Sequence, residues 1–165
     1  MSKFVLSVLG RDRPGIVAGI ASVLCSLDCN IEDCSQTILQ TEFAGIFILS
    51  NRENRPLDVV EKKLVDKLGD SGLTFDVKPM DDNGWAAGEK VSTPFVVTTM
   101  GPDQIGMIAA ISGALADLAI NILNFKAILR KDVEPEQLMT IFEVDVPESV
   151  TQSDLKSRLL DVSNQ

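Results

Sequence analysis

The 165-residue sequence predicts an α+β protein made of two copies of a small β-α-β-β-α-β unit, each an antiparallel sheet with its helices on one face. Two observations carry this expectation. Residues 4–38 and 95–129 align without a gap at a constant offset of 91. Within each copy the apolar spacing alternates between short strand-like runs and helical three- and four-residue steps. Identical pairs include Phe4 with Phe95, Gly10 with Gly101, Asp12 with Asp103, Gly15 with Gly106, Asn30 with Asn121 and Ile31 with Ile122. They fall at turns as well as at apolar positions, which a shared taste for hydrophobic residues does not explain. The expected organisation is a first unit over 1–80, a linker over 81–92 and a second unit over 93–165.

Each copy opens with a short apolar run ending at a glycine, read as a strand over 3–9 and again over 94–100. A loop follows, Gly10-Arg-Asp-Arg-Pro-Gly15 in one copy and Gly101-Pro-Asp-Gln-Ile-Gly106 in the other. The next helix buries Ile16, Ile20, Val23, Leu24 and Leu27, or Met107, Ile111, Ala114, Leu115 and Leu118. Asp12 and Asp103 are expected to cap its first turn, and Pro14 suits that turn because its missing N–H would be unpaired there. Second and third strands are read over 31–39 and 43–50, and over 122–129 and 139–146. Phe47 and Phe142 correspond at an offset of 95, so the second hairpin is about four residues longer. A second helix over 56–68 places Leu57, Val60, Leu64 and Leu68 on one face, with Gly69 as its C-cap. A fourth strand over 73–78 completes copy one.

Copy two is expected to stop short. A helix over 151–160 is signalled by Leu155 and Leu159 and by a capping box from Thr151 to Asp154. Residues 161–165 are too few and too polar for a fourth strand, so this sheet should expose an edge. Trp85, in the linker, is expected to pack on a domain face or plug that edge.

Composition narrows the chemistry. The formal charge is −9, 45% of residues are hydrophobic, and there is no histidine and no tyrosine. Histidine-based triads and histidine-ligated zinc are thereby excluded. The acidic balance argues against direct nucleic-acid binding, which needs clustered Lys and Arg. No nucleophile has a visible base, so no catalytic residue, cofactor or metal site is expected. Cys25, Cys29 and Cys34 read as small packing residues of a reducing compartment; a thiolate metal site lacks a fourth soft ligand. The apolar run 4–9 is too short for a signal-peptide core and no stretch approaches about 20 apolar residues, so a cytoplasmic location without membrane contact is expected.

The glycine-bounded loops carry more. A strand that turns tightly into a helix aims unpaired backbone N–H groups and the positive end of the helix dipole at one spot, which suits a carboxylate. Asn30 or Asn121, brought to the same end of its unit, would help to hold an ammonium group. Neither loop matches GxxxxGK[ST] or GxGxxG, so neither is a nucleotide loop.

The repeated GxDxxG loop, the apolar helix and the Asn-Ile before the second strand resemble the ACT domain. The whole chain is similar to the tandem-ACT family of the glycine cleavage system transcriptional repressor. That resemblance implies ferredoxin-like regulatory modules that bind a small amino acid, pair as homodimers and act through a protein partner without gripping DNA. Its implied ligand residues are Asp12, Arg13, Pro14, Gly15 and Ile16 with Asn30 and Ile31. In copy two they are Asp103, Ile105, Gly106 and Met107 with Asn121 and Ile122. Copy two replaces Arg11, Arg13 and Pro14 by Pro102, Gln104 and Ile105, which favours copy one for an anionic ligand. The competing readings are an interaction module with vestigial sites, and a regulatory subunit of a separate metabolic enzyme.

Overall fold

The computed structural model describes residues 2–53, 55–80 and 91–163. The chain divides into two compact units, Met1–Ala86 and Ala87–Gln165. Trp85 and most of the expected linker 81–92 lie outside the described residues.

The first unit runs β1 (Ser2–Arg11), α1 (Ile16–Cys25), β2 (Cys29–Leu39), β3 (Glu42–Asn51), α2 (Leu57–Leu68), a 3-10 turn (Gly69–Ser71) and β4 (Thr74–Pro79). Its sheet has the order β2-β3-β1-β4 with all neighbours antiparallel. The second unit runs β5 (Ser92–Pro102), α3 (Met107–Asp117), β6 (Asn121–Arg130), β7 (Gln137–Pro147) and α4 (Gln152–Ser163). Its order is β5-β7-β6. Among the described residues no fourth strand covers β5. The repeat therefore builds two ferredoxin-like sheets of unequal completeness.

The pairing registers bear out the repeat. Phe47 sits opposite Leu6 and Cys34, and Phe142 sits opposite their counterparts Val97 and Phe125. The β2–β3 turn leaves two residues between Leu39 and Glu42, and the β6–β7 loop leaves six between Arg130 and Gln137. That difference accounts for the four extra residues. Both second strands bulge at the same place, Ile31/Asp33 and Ile122/Asn124. A bulge puts one extra residue into the strand and turns it locally. In copy one that residue is Glu32, whose carboxylate meets the Lys3 Nζ at 2.7 Å.

Alternation decides the core. Phe4, Leu6 and Val8 of β1 and Phe43, Phe47 and Leu49 of β3 turn to one face, where Ile16, Ile20, Val23, Leu24, Val60 and Leu64 cover them. Burying one such side chain is worth about 1.5–3 kcal/mol. Leu73, just ahead of β4, and Phe75 and Val77 within it close this core. The second core is built on Ile111, Leu115, Phe142, Val144, Val146 and Leu155, with Phe95, Val97 and Met107 partly buried against it. Its floor carries a polar pair: the Thr99 and Thr140 hydroxyls share a hydrogen bond of 2.6 Å.

Two local expectations need correction. Asp12 and Asp103 do not cap the helices, since neither helix has a side-chain cap. Instead the Asp12 N–H donates to the Thr41 carbonyl at 2.7 Å and the Asp103 N–H to the Glu136 carbonyl at 3.1 Å, tying each loop to the neighbouring hairpin. Pro14 lies in the turn ahead of α1, outside its first turn. Gly69 is the C-cap of α2 as expected, its N–H donating to the Val65 carbonyl, and it keeps helical φ as the chain runs into the 3-10 turn, which the left-handed Gly72 closes at φ 74°. The capping box is present as expected. Thr151 N–H and Oγ1 donate to the Asp154 carboxylate at 3.0 and 2.6 Å, and the Asp154 N–H returns to Thr151 Oγ1 at 3.2 Å.

Candidate functional site

The two strand-to-helix loops share one backbone solution. Gly15 and Gly106 precede their helices at φ 94° and 97°, a conformation that side chains with a Cβ rarely adopt. A Cβ at either position would enter open space, so the glycine answers to backbone conformation alone. The first bonds that close α1 and α3 run from Gly19 N–H to the Gly15 carbonyl and from Ala110 N–H to the Gly106 carbonyl, each 2.9 Å. The N–H groups of Val17, Ala18, Ile108 and Ala109 belong to the first turns and have no carbonyl of their own helix to meet.

The side chains around these amides divide by exposure. Asp12, Arg13, Pro14 and Gly15 are exposed, whereas Ile16 is buried in the core and can offer a ligand only its backbone. In copy two Asp103, Ile105 and Gly106 are exposed and Met107 is half-buried. The Met107 N–H is already occupied by the Gln104 carbonyl at 3.3 Å.

Asn30 does not join the loop of its own unit. Asn30 pairs with Ser50, and Ser50 pairs with Lys3 at the start of β1. The loop leaves from Arg11 at the other end of that strand. Eight residues at about 3.4 Å each put the two groups roughly 27 Å apart. The expected meeting at one end of the unit is corrected: an antiparallel β3 lying between β1 and β2 carries Asn30 to the opposite end. The same register separates Asn121, opposite Asp145, from Asp103.

Around Asn30 the structure holds its own pocket, about 370 Å³, formed by Leu24, Cys25, Asp28, Cys29, Asn30, Ile31 and Arg52. Arg52 and Asp28, both exposed, supply one positive and one negative charge to its rim. Asp28 takes a left-handed φ of 54°, the sharp turn that lets β2 start directly behind α1. Burial pushes the Cys29 thiol up, against the opposing pull of the Arg55 guanidinium, so Cys29 stays protonated and serves as packing. Sequence reasoning named Asn30 and Ile31 here and missed Arg52 and Asp28. The available signal was negative: the copy-two counterparts are Pro147 and Ala119, so the charges are private to copy one.

The copy-two loop has a different neighbour, a cavity of about 680 Å³ between Thr99, Ile105, Met107, Ile111, Leu159 and Val162. In copy one the corresponding space is filled by the chain leading into β4. A Cβ on Gly10 would lie 2.6 Å from the Gly72 carbonyl oxygen, while one on Gly101 would meet nothing closer than the Met107 sulfur at 3.9 Å. Among the described residues, no group of three or more His, Cys, Asp or Glu is placed to hold a metal ion, and no helix is long and apolar enough to cross a membrane.

Comparison with known proteins agrees with this geometry. Residues 2–78 match the ACT-domain family model. The UPF0237 protein of Methanopyrus kandleri is 46% identical over 93 residues, which is 55% of this chain and 100% of that protein. Among solved structures, a protein of unknown role from Galdieria sulphuraria superposes with a TM-score of 0.79 at 21% identity, covering 99% of this chain and 92% of that one. A candidate glycine cleavage system transcriptional repressor superposes with a TM-score of 0.71 at 17% identity, covering 99% and 91%. At those identities the two structures establish the tandem fold.

Proposed function

This chain belongs to the UPF0237 family, and we propose that it is a non-enzymatic, cytoplasmic regulatory protein that binds a small amino acid and transmits its presence to a protein partner. The regulated process on this reading is amino-acid metabolism, through control of transcription. The observation that carries it is the pocket at Asn30. An amino acid is a zwitterion, and this pocket sets Arg52 for a carboxylate and Asp28 for an ammonium group at opposite signs around one small volume. Its size lies at the lower end of the range for small-molecule sites, about 300–1,000 Å³. The first-turn amides behind Gly15 and Gly106 remain for a second anionic group. Arg11 and Arg13 favour the copy-one loop for it. The functional form is a homodimer.

Isothermal titration of the chain with each of the twenty amino acids tests the reading. One or a few should bind, and Arg52→Ala and Asp28→Asn should each weaken that binding at least tenfold with the circular dichroism unchanged. Asn at position 28 keeps the left-handed turn available. Absence of heat from every amino acid would sink the sensor. A partner still captured by a ligand-blind chain would favour the interaction-module reading, to which the fully exposed Ile105 on the copy-two loop lends support.

A further inference from the structure

We infer that the pocket at Asn30 selects a small amino acid whose neutral side chain both donates and accepts a hydrogen bond, and that Asn51 and Arg55 make the selection. This rests on the amino-acid reading above and names the side-chain class of its ligand. Two buried polar atoms motivate it. Among the described residues, Asn51 Oδ1 and Arg55 Nε have no hydrogen-bond partner. Asn51 is fully buried. Buried polar groups are nearly always paired, so an unmet acceptor beside an unmet donor points to an occupant that meets both. Both residues stand directly behind the pocket. Asn51 is the cross-strand partner of Cys29, a lining residue, and alternation puts it on the same face of β3 as Phe47 and Leu49. Cβ atoms paired in this way are about 4.5–5.5 Å apart. Arg55 Nη2 is 3.9 Å from a carboxylate oxygen of Asp28 on the rim. A hydrogen bond of 2.8 Å from Asn51 Nδ2 to the Arg55 carbonyl ties the two residues together. That bond accounts for the amide nitrogen and leaves the oxygen unmet.

The fold itself does not require polar side chains here. At the offset of 95 that aligns Phe47 with Phe142, the copy-two counterparts of Asn51 and Arg55 are Val146 and Val150. Val146 is buried in the second core and Val150 packs against it. Valines therefore serve the same two positions of the same fold. Asp28 and Arg52 likewise give way to Ala119 and Pro147. Copy one thus gathers four polar side chains at one sheet end where copy two has apolar residues.

Charge decides the ligand class. Glu53 pairs with the Arg55 guanidinium and Asp28 lies beside it, so Arg55 needs no further anion. A side-chain carboxylate would set an acceptor against Asn51 Oδ1, and an ammonium would set donors against the Arg55 Nε–H. A hydroxyl or a carboxamide accepts from Arg55 and donates to Asn51. With Arg52 on the ligand carboxylate and Asp28 on its ammonium group, serine, threonine and asparagine carry the required side chain. An apolar side chain in that place leaves both protein atoms unmet. Sites built to hydrogen-bond a substrate reject analogues without the bonding group in this way.

Isothermal titration of the 165-residue chain with pairs of similar shape tests this: serine against alanine, threonine against valine, asparagine against leucine. At least one polar member should bind about tenfold or more tightly than its apolar partner. Arg55→Lys keeps the positive charge beside Glu53 and Asp28 and removes the Nε–H. Asn51→Val installs the residue that copy two uses at this position. Each should bring that ratio close to one, with the apolar member's affinity and the circular dichroism unchanged. Should a variant fail to fold, the ratio in the parent chain decides. Apolar members that bind as tightly as their polar partners overturn the inference and leave the amino-acid reading standing, a bridging water then meeting Asn51 and Arg55. Tightest binding by aspartate, glutamate or lysine overturns it in the same way, as do folded variants that keep the parent ratio. No heat from any of the twenty amino acids overturns both.

Discussion

Gly10 and Gly101 occupy the same place in the two copies, yet alanine should have opposite consequences there. A Cβ on Gly10 would stand 2.6 Å from the Gly72 carbonyl oxygen, 3.0 Å from a Leu73 methyl and 3.1 Å from the Leu73 Cα. Two of those atoms are backbone, so relief requires the entry to β4 to move outward by several tenths of an ångström. Leu73, only 5% exposed, would be drawn out of the core with it. Overpacking of this kind costs about 1–3 kcal/mol. At Gly101 the nearest atom is the flexible Met107 sulfur, 3.9 Å away, which is ordinary contact. Alanine there removes unfolded-state freedom and should change stability by less than about 1 kcal/mol, in the stabilising direction. Because the two units have separate cores, hydrogen exchange read by mass spectrometry on peptides from each unit is the suitable assay. Gly10→Ala should lower protection in β1, β3 and β4 and leave β5–β7 unchanged. Equal losses from the two substitutions would refute the reasoning, because they would mean that Gly101 is covered as closely as Gly10.

Two further outcomes follow from single contacts. Thr140→Val should cost about 1–2 kcal/mol in the second unit, because it leaves the Thr99 hydroxyl without its partner at a floor where Thr140 is fully buried. Adding Thr99→Val should return part of that loss, which a double-mutant cycle in urea would read. Hydrogen bonds from Thr151 hold the Asp154 carboxyl below its usual range, so the folded pKa is depressed. The contribution is therefore present above the unfolded carboxylate range and is lost as pH falls through the lower folded value. Protection of the first turn of α4 should drop in that acid window, and Thr151→Ala, which removes the hydroxyl donor and keeps the backbone N–H, should weaken the pH dependence.

Periodicity and repetition made most of this fold legible. Ile16, Ile20, Val23, Leu24 and Leu27 were readable as one helix face and are all buried. The capping box at Thr151 and the four-residue difference between hairpins were equally local, and the structure contains both. Asp12 was misread because a residue at the mouth of a helix has competing uses for its neighbourhood. The Thr41 carbonyl, 29 residues away in sequence, takes its N–H and draws the loop toward the hairpin.

Within the candidate site, the sequence by itself determined the residue types. Gly15 and Gly106 are required by a positive φ, and Asn30 and Ile31 stand at the start of a strand in both copies. What only the tertiary structure decided is their separation. Strand order is a long-range property, and placing β3 between β1 and β2 sends Asn30 to the end of the sheet opposite the loop. The same long-range order brings Arg52, from the turn after β3, and Asp28, from the turn after α1, to one pocket. No spacing along the chain encodes that meeting. It arises because antiparallel pairing matches residues by distance from a turn, so groups far apart in sequence become neighbours at a sheet end.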